Sequence, residues 1–113
     1  MKLIRKSETN KVSNSNVVIM EEYLHRDPDL NLAIGTISGK YPDIGFVVNE
    51  ISKEIVYVIE GDVKLILRSE TVMLSTGDSV IIDQNEEFAW DGRGKVLTVC
   101  NPAWAPEQHK EVV

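Results

Sequence analysis

Histidine and cysteine are scarce in this chain of 113 residues: His25 and His109 are its two histidines and Cys100 its one cysteine. A single cysteine excludes an intramolecular disulfide and suits a reducing compartment, so the expected location is cytoplasmic. Basic charge is also short, with 12 Lys and Arg against 18 Asp and Glu and a net charge of −6. Nucleic-acid binding needs a basic stripe to meet the phosphates, and the acidic balance excludes that class. No apolar run approaches a membrane span, and the opening MKLIRKSETN has too short an apolar core for a signal peptide. Helical periodicity is missing too, since no window of about 11 residues or more sustains it.

What is present is β-structure in short pieces. Apolar and β-branched runs separated by turn residues predict strands over 2–6, 16–24, 30–38, 45–50, 54–60, 63–68, 70–74, 79–83, 87–90 and 95–100. The connections carry turn-forming residues, among them Pro28, Pro42, Gly61-Asp62, Gly77-Asp78 and Asp91-Gly92-Arg93-Gly94. Many short strands in one small chain predict an all-β, single-domain barrel or sandwich spanning residues 1–113. The final NPAWAPEQHKEVV, residues 101–113, reads as an extended tail that packs on the barrel, or on a partner subunit, through Trp104.

Two stretches carry a recognisable pattern. The first, within residues 45–61, ends in EIVYVIEG, with Glu54 and Gly61 bracketing an apolar strand. The second is GDSVIIDQNEEFAWDG, residues 77–92. Together they resemble the two motifs of the cupin superfamily, whose members are small jelly-roll β-barrels. In the second motif Gly77 matches the opening glycine, Asp83 the proline, Asn85 the next glycine, Phe88 the histidine and Gly92 the asparagine. Asn85 is a sound replacement, because asparagine tolerates the left-handed conformation that glycine supplies.

Metal-binding cupins use two motif-one histidines, a glutamate and the motif-two histidine. The resemblance places those histidines at Val48 and Glu50, or at Val47 and Asn49 with a spacer one residue longer. The fourth ligand position is Phe88. Only Glu54 remains of the set, so neither a metal nor another cofactor is expected. A non-standard site drawing on Glu50, Glu54, Cys100 and His109 stays open as the competing possibility.

Strand alternation sends Glu54, Val56 and Val58 to one face and Ile55, Tyr57 and Ile59 to the other. The second face is too apolar for water, and cupins commonly pair through such a surface, so a homodimer is expected. The same parity predicts a ligand-binding pocket of Val48, Glu50, Glu54, Phe88 and Trp90, with Tyr41 and Phe46 near its mouth. Aromatic walls and few polar groups are the make-up of a small-molecule site. Glu54 among aromatics has a raised pKa and is the candidate catalytic acid.

Each residue has a plainer reading. Phe88 and Trp90 fill a small barrel, Glu50 is a solvated loop residue, and Glu54 bonds structurally or pairs with Lys53 or Lys64. Cys100 is a core residue rather than a nucleophile, His109 a solvated tail residue and Tyr57 an outer packing residue. The function read from these features is metal-free binding of a small molecule, as a sensor or carrier. Two alternatives stand beside it: a metal-independent isomerase or epimerase of a sugar or small acid using Glu54 or Glu50, and a packed dimeric scaffold.

Overall fold

The computed structural model describes residues 1–113. Nine strands run in chain order: β1 (Asn10–Ser13), β2 (Val18–Tyr23), β3 (Asn31–Ser38), β4 (Phe46–Asn49), β5 (Lys53–Leu67), β6 (Thr71–Ser75), β7 (Ser79–Ile82), β8 (Phe88–Asn101) and β9 (His109–Val112). Two single 3-10 turns, Lys6–Glu8 and Pro106–Gln108, are the only helical elements. No helix is long and apolar enough to cross a membrane.

All pairings are antiparallel, and β8 is the spine of the sheet. One edge of it bonds β3 and, at Phe88, β4; the other bonds β5 from Lys53 to Leu67. The first half of β5 also pairs β7 and its second half pairs β6. The sheet curls into a barrel whose core is built from alternate residues: Val56, Val58, Val63 and Leu65 of β5 meet Phe88, Trp90 and Val96 of β8. Ile55, Tyr57 and Ile59 face outward and are exposed, as alternation requires.

Four readings from sequence need correction. The segments 54–60 and 63–68 are one strand, as are 87–90 and 95–100, because the glycines between them bend paired strands instead of turning the chain. Gly61 takes φ +86° inside β5, where an added Cβ would strike the Arg93 carbonyl oxygen and come within 2.7 Å of Gly94 Cα. Only glycine allows the two ribbons to approach so closely there. The first strand is Asn10–Ser13, not residues 2–6. Residues 16–24 shorten to Val18–Tyr23. The tail is not merely extended, since His109–Val112 forms a strand paired with β4 from Phe46 to Asn49.

Asn85 adopts φ 63°, the conformation its place in the second motif demands, and its N–H donates to the Asn49 carbonyl at 2.8 Å. That bond ties the turn before β8 to the end of β4, close to the residues that line the barrel.

Candidate functional site

A cavity of about 520 Å³ opens inside the barrel. That is within the range of small-molecule sites, and its lining is mostly apolar. Glu54, Phe88 and Trp90 all reach it, as does Tyr41.

Val48 and Glu50 do not. On β4 the inward residues are Val47, which belongs to the core, and Asn49, which lines the cavity, so the register is the one with the longer spacer. Val48 is buried on the opposite face of β4, and Glu50 is exposed beyond the strand end, its N–H donating to the Gln108 carbonyl at 3.0 Å. Phe46 shares the face of Val48 and lies beneath the Arg68 guanidinium, 4.6 Å from the ring centre, instead of at the mouth.

The C-terminal segment supplies one wall of the cavity. Gln108 anchors it: its Oε1 accepts from the N–H groups of Ile51 (2.8 Å) and Ser52 (2.7 Å), and its Nε2 donates to Ser52 Oγ at 2.7 Å. Ser52 Oγ donates in turn to the Pro102 carbonyl at 2.7 Å. With β9 laddered onto β4, this clamp carries Trp104 and His109 to the cavity, where both are lining residues. Trp104 packs on the barrel, as the sequence reading of the tail allows, whereas His109 is not a solvated tail residue; a histidine two residues after Pro-Glu carries no strand pattern of its own to announce it.

Asn49 joins these groups. Its Oδ1 accepts from Trp104 Nε1 at 3.0 Å and lies 2.9 Å from His109 Nδ1; its Nδ2 donates to Glu54 Oε1 at 3.2 Å. An indole N–H can only donate, which fixes the amide oxygen on the Trp104 side. His109 Nδ1 must therefore carry the hydrogen, leaving Nε2 to accept from the Tyr41 hydroxyl at 2.8 Å. The chain Tyr41, His109, Asn49, Glu54 is continuous, and no buried side-chain nitrogen or oxygen lacks a partner.

Electrostatics follow from burial. Desolvation pushes the Glu54 carboxyl up to about 7, against the opposing pull of the Asn49 hydrogen bond. Burial lowers His109, with Glu111 working the other way, so the imidazole is neutral near pH 7. Burial and then Glu111 raise the Tyr41 phenol. Burial, reinforced by Glu54, raises the Cys100 thiol and keeps it protonated, unsuited to act as a nucleophile. Glu54 is thus the site's group that exchanges a proton at neutral pH.

The residues do not fit a metal of the kind bound by histidine-bearing cupins. The inward positions hold a valine, an amide, one carboxylate and a phenyl ring, and no three His, Cys, Asp or Glu side chains converge.

Fold and site together define a jelly-roll β-barrel with a small-molecule cavity in its interior. Residues 46–100 match the family model described as "Cupin domain", and the chain has the cupin fold, a single-domain jelly-roll β-barrel. No curated protein matches it in sequence. Among solved structures it resembles Pac13, described as a unique nucleoside dehydratase, at 18% identity and a TM-score of 0.87, over 99% of this chain and 91% of the other. Variants of the Streptomyces Pac13 protein are described with uridine. Ectoine synthase from P. lautus is similar at 17% identity and a TM-score of 0.77, over 100% of this chain and 91% of that one. The polyketide cyclase RemF from Streptomyces resistomycificus is similar at 15% identity and a TM-score of 0.76, over 100% and 86%. At these identities the likeness is one of fold.

Proposed function

We propose that this cupin binds a small organic molecule inside the barrel and performs acid–base chemistry on it without a metal, as a dehydratase or isomerase does. The observation that carries this reading is Glu54, a carboxyl facing the cavity with its pKa near 7 and tied through Asn49 to the His109–Tyr41 pair. A passive carrier has no need of a proton-exchanging acid. In the proposed mechanism Glu54 takes or returns the substrate proton, and Tyr41, its hydroxyl held by His109 Nε2, orients an oxygen or nitrogen of the substrate. Three similar folds described as a dehydratase, a synthase and a cyclase add weight to an enzymatic role.

The test is a screen of pooled metabolites in deuterated water, followed by NMR for deuterium uptake or loss of water. Wild type is expected to turn over at least one compound, and Glu54→Gln to slow it by about 100-fold or more. Equal rates in the two proteins would remove Glu54 from the mechanism. Binding without any turnover would return the chain to the sensor or carrier reading.

We also propose a homodimer through the outer face. The register sets Leu32, Val99, Ile55 and Ile81 in one row across four strands and Ile34, Leu97 and Tyr57 in the next. Ile55, Tyr57 and Ile81 are exposed, and the nearest charge on either row is Glu21, opposite Ile34 on β2 and paired with Lys6, so two-fold pairing through β5, β7 and β8 sets no like charges against each other. Light scattering at micromolar concentration is expected to give twice the chain mass for wild type and the single mass for Tyr57→Glu. A monomeric wild type would refute it.

A further inference from the structure

The cavity is one-sided in charge. Of its 23 lining residues three are glutamates, Glu22, Glu54 and Glu107, and none is lysine or arginine. None of the three is neutralised elsewhere: the ion pairs of the structure are Lys6–Glu21, Lys53–Asp83, Arg68–Glu87 and Lys95–Glu60. Glu22 receives only the neutral Asn10 amide, at 3.0 Å, and Glu54 only the Asn49 amide. The one base in the lining, His109, is neutral and has both ring nitrogens engaged, with Asn49 and with Tyr41.

A phosphate or carboxylate entering this space would lose its water and meet carboxylates with no counter-charge, which is unfavourable. The opposite holds for a cation. Tyr41, Trp90 and Trp104 present aromatic rings to the same space, and aromatic faces attract ammonium groups most strongly where water is excluded. The desolvated Glu54 carboxylate, where ionised, adds to that attraction.

We propose that the cavity is selective for a small organic cation, an ammonium group on an apolar frame, with the ammonium set at Glu54 between the aromatic walls. This rests on the reading of the cavity as a ligand site and names the class of molecule it takes. It narrows the field away from small acids and phosphorylated compounds, for which the lining has no cationic partner.

The groups packed on Glu54 are Asn49 from β4, Cys100 from β8 and, behind Asn49, His109 from β9; its ladder partner on β7 is Ile82. The thiol stays protonated and the imidazole neutral near pH 7, so Glu54 is the member of this group that titrates there. An ammonium ion binds its ionised form, and amine affinity must therefore fall as the solution is acidified below about 7.

Three probes of one frame test this: phenethylamine, 2-phenylethanol and phenylacetate, titrated calorimetrically into the full chain at pH 8. The amine is expected to bind about tenfold or more tighter than the alcohol, and phenylacetate more weakly than either. Acidification to pH 5.5 should weaken the amine and leave the alcohol unchanged. Glu54→Gln should remove that pH dependence and most of the amine's advantage. Glu22→Gln, at a residue that makes no contact with the Asn49 chain, should reduce the advantage in part. If the alcohol or phenylacetate binds as tightly as the amine, the cation proposal is overturned while the cavity remains a ligand site. If none of the three binds, the cation proposal is likewise overturned, and the metabolite screen decides the ligand site on its own terms.

Discussion

Glu54→Gln is expected to stabilise the protein at alkaline pH and leave it unchanged in acid. The carboxyl is moved by burial from 4.5 to about 7, so the folded state holds a proton that the unfolded chain has already released. The native contribution of protonated Glu54 is complete below about 4.5, declines as pH rises, and is lost above about 7. Over that window the loss is about 3 kcal/mol. Glutamine keeps the carbonyl oxygen that accepts from Asn49 and has no charge to bury. Denaturant unfolding of the two proteins should therefore coincide at pH 4 and differ by about 3 kcal/mol at pH 9, roughly 10 °C in melting temperature for a domain of this size. Stability differences that stay constant from pH 4 to pH 9 would show that Glu54 does not carry a raised pKa, and the acid–base role would fall with it.

Asn49→Leu attacks the same site from the other side and is expected to cost about 3 kcal/mol. The two side chains are similar in size, so packing changes little, but three hydrogen bonds vanish together. Trp104 Nε1 and His109 Nδ1 lose their shared acceptor and Glu54 loses its donor. A buried donor left without a partner costs about 1–3 kcal/mol, and water in the cavity recovers part of the sum. The lost acceptor also frees the imidazole tautomer, so nitrogen NMR should show His109 passing from one fixed form to a mixture. A variant as stable as wild type, with the His109 tautomer unchanged, would mean that Asn49 does not organise the site.

Much of the barrel was legible because alternation is a local property. The inward Val56 and Val58 and the outward Ile55 and Tyr57 follow from period two alone. The positive φ of Asn85 was legible on a different ground, its place at a glycine position of the second motif and a side chain that tolerates that conformation. The joining of strands across Gly61 and across Gly92 to Gly94 was not legible, since a glycine that bends a paired strand reads in sequence like one that makes a turn. The site was half legible. Glu54, Phe88 and Trp90 lie on strands whose phase is set within the strand, and all three reach the cavity. Val48 and Glu50 were placed by a spacer count across the 50–52 loop, where one residue more exchanges the two faces of β4 and puts Asn49 inside. Trp104 and His109 come from a segment held by Gln108, a contact across 56 residues from Ser52 that nothing local announces.

That last arrangement separates two tasks along the chain. No residue beyond Val96 belongs to the central hydrophobic cluster, whereas Trp104 and His109 both face the cavity. The closing segment is held by the Gln108 clamp, the β9 ladder and a few side-chain hydrogen bonds, so its composition is free to drift under rules different from those that govern the core. Changes within residues 101–113, with the clamp kept, would reshape one wall of the cavity while Glu54, Phe88 and Trp90 stay in place on the barrel. The barrel thus holds the acid, and the closing segment trims the space around it.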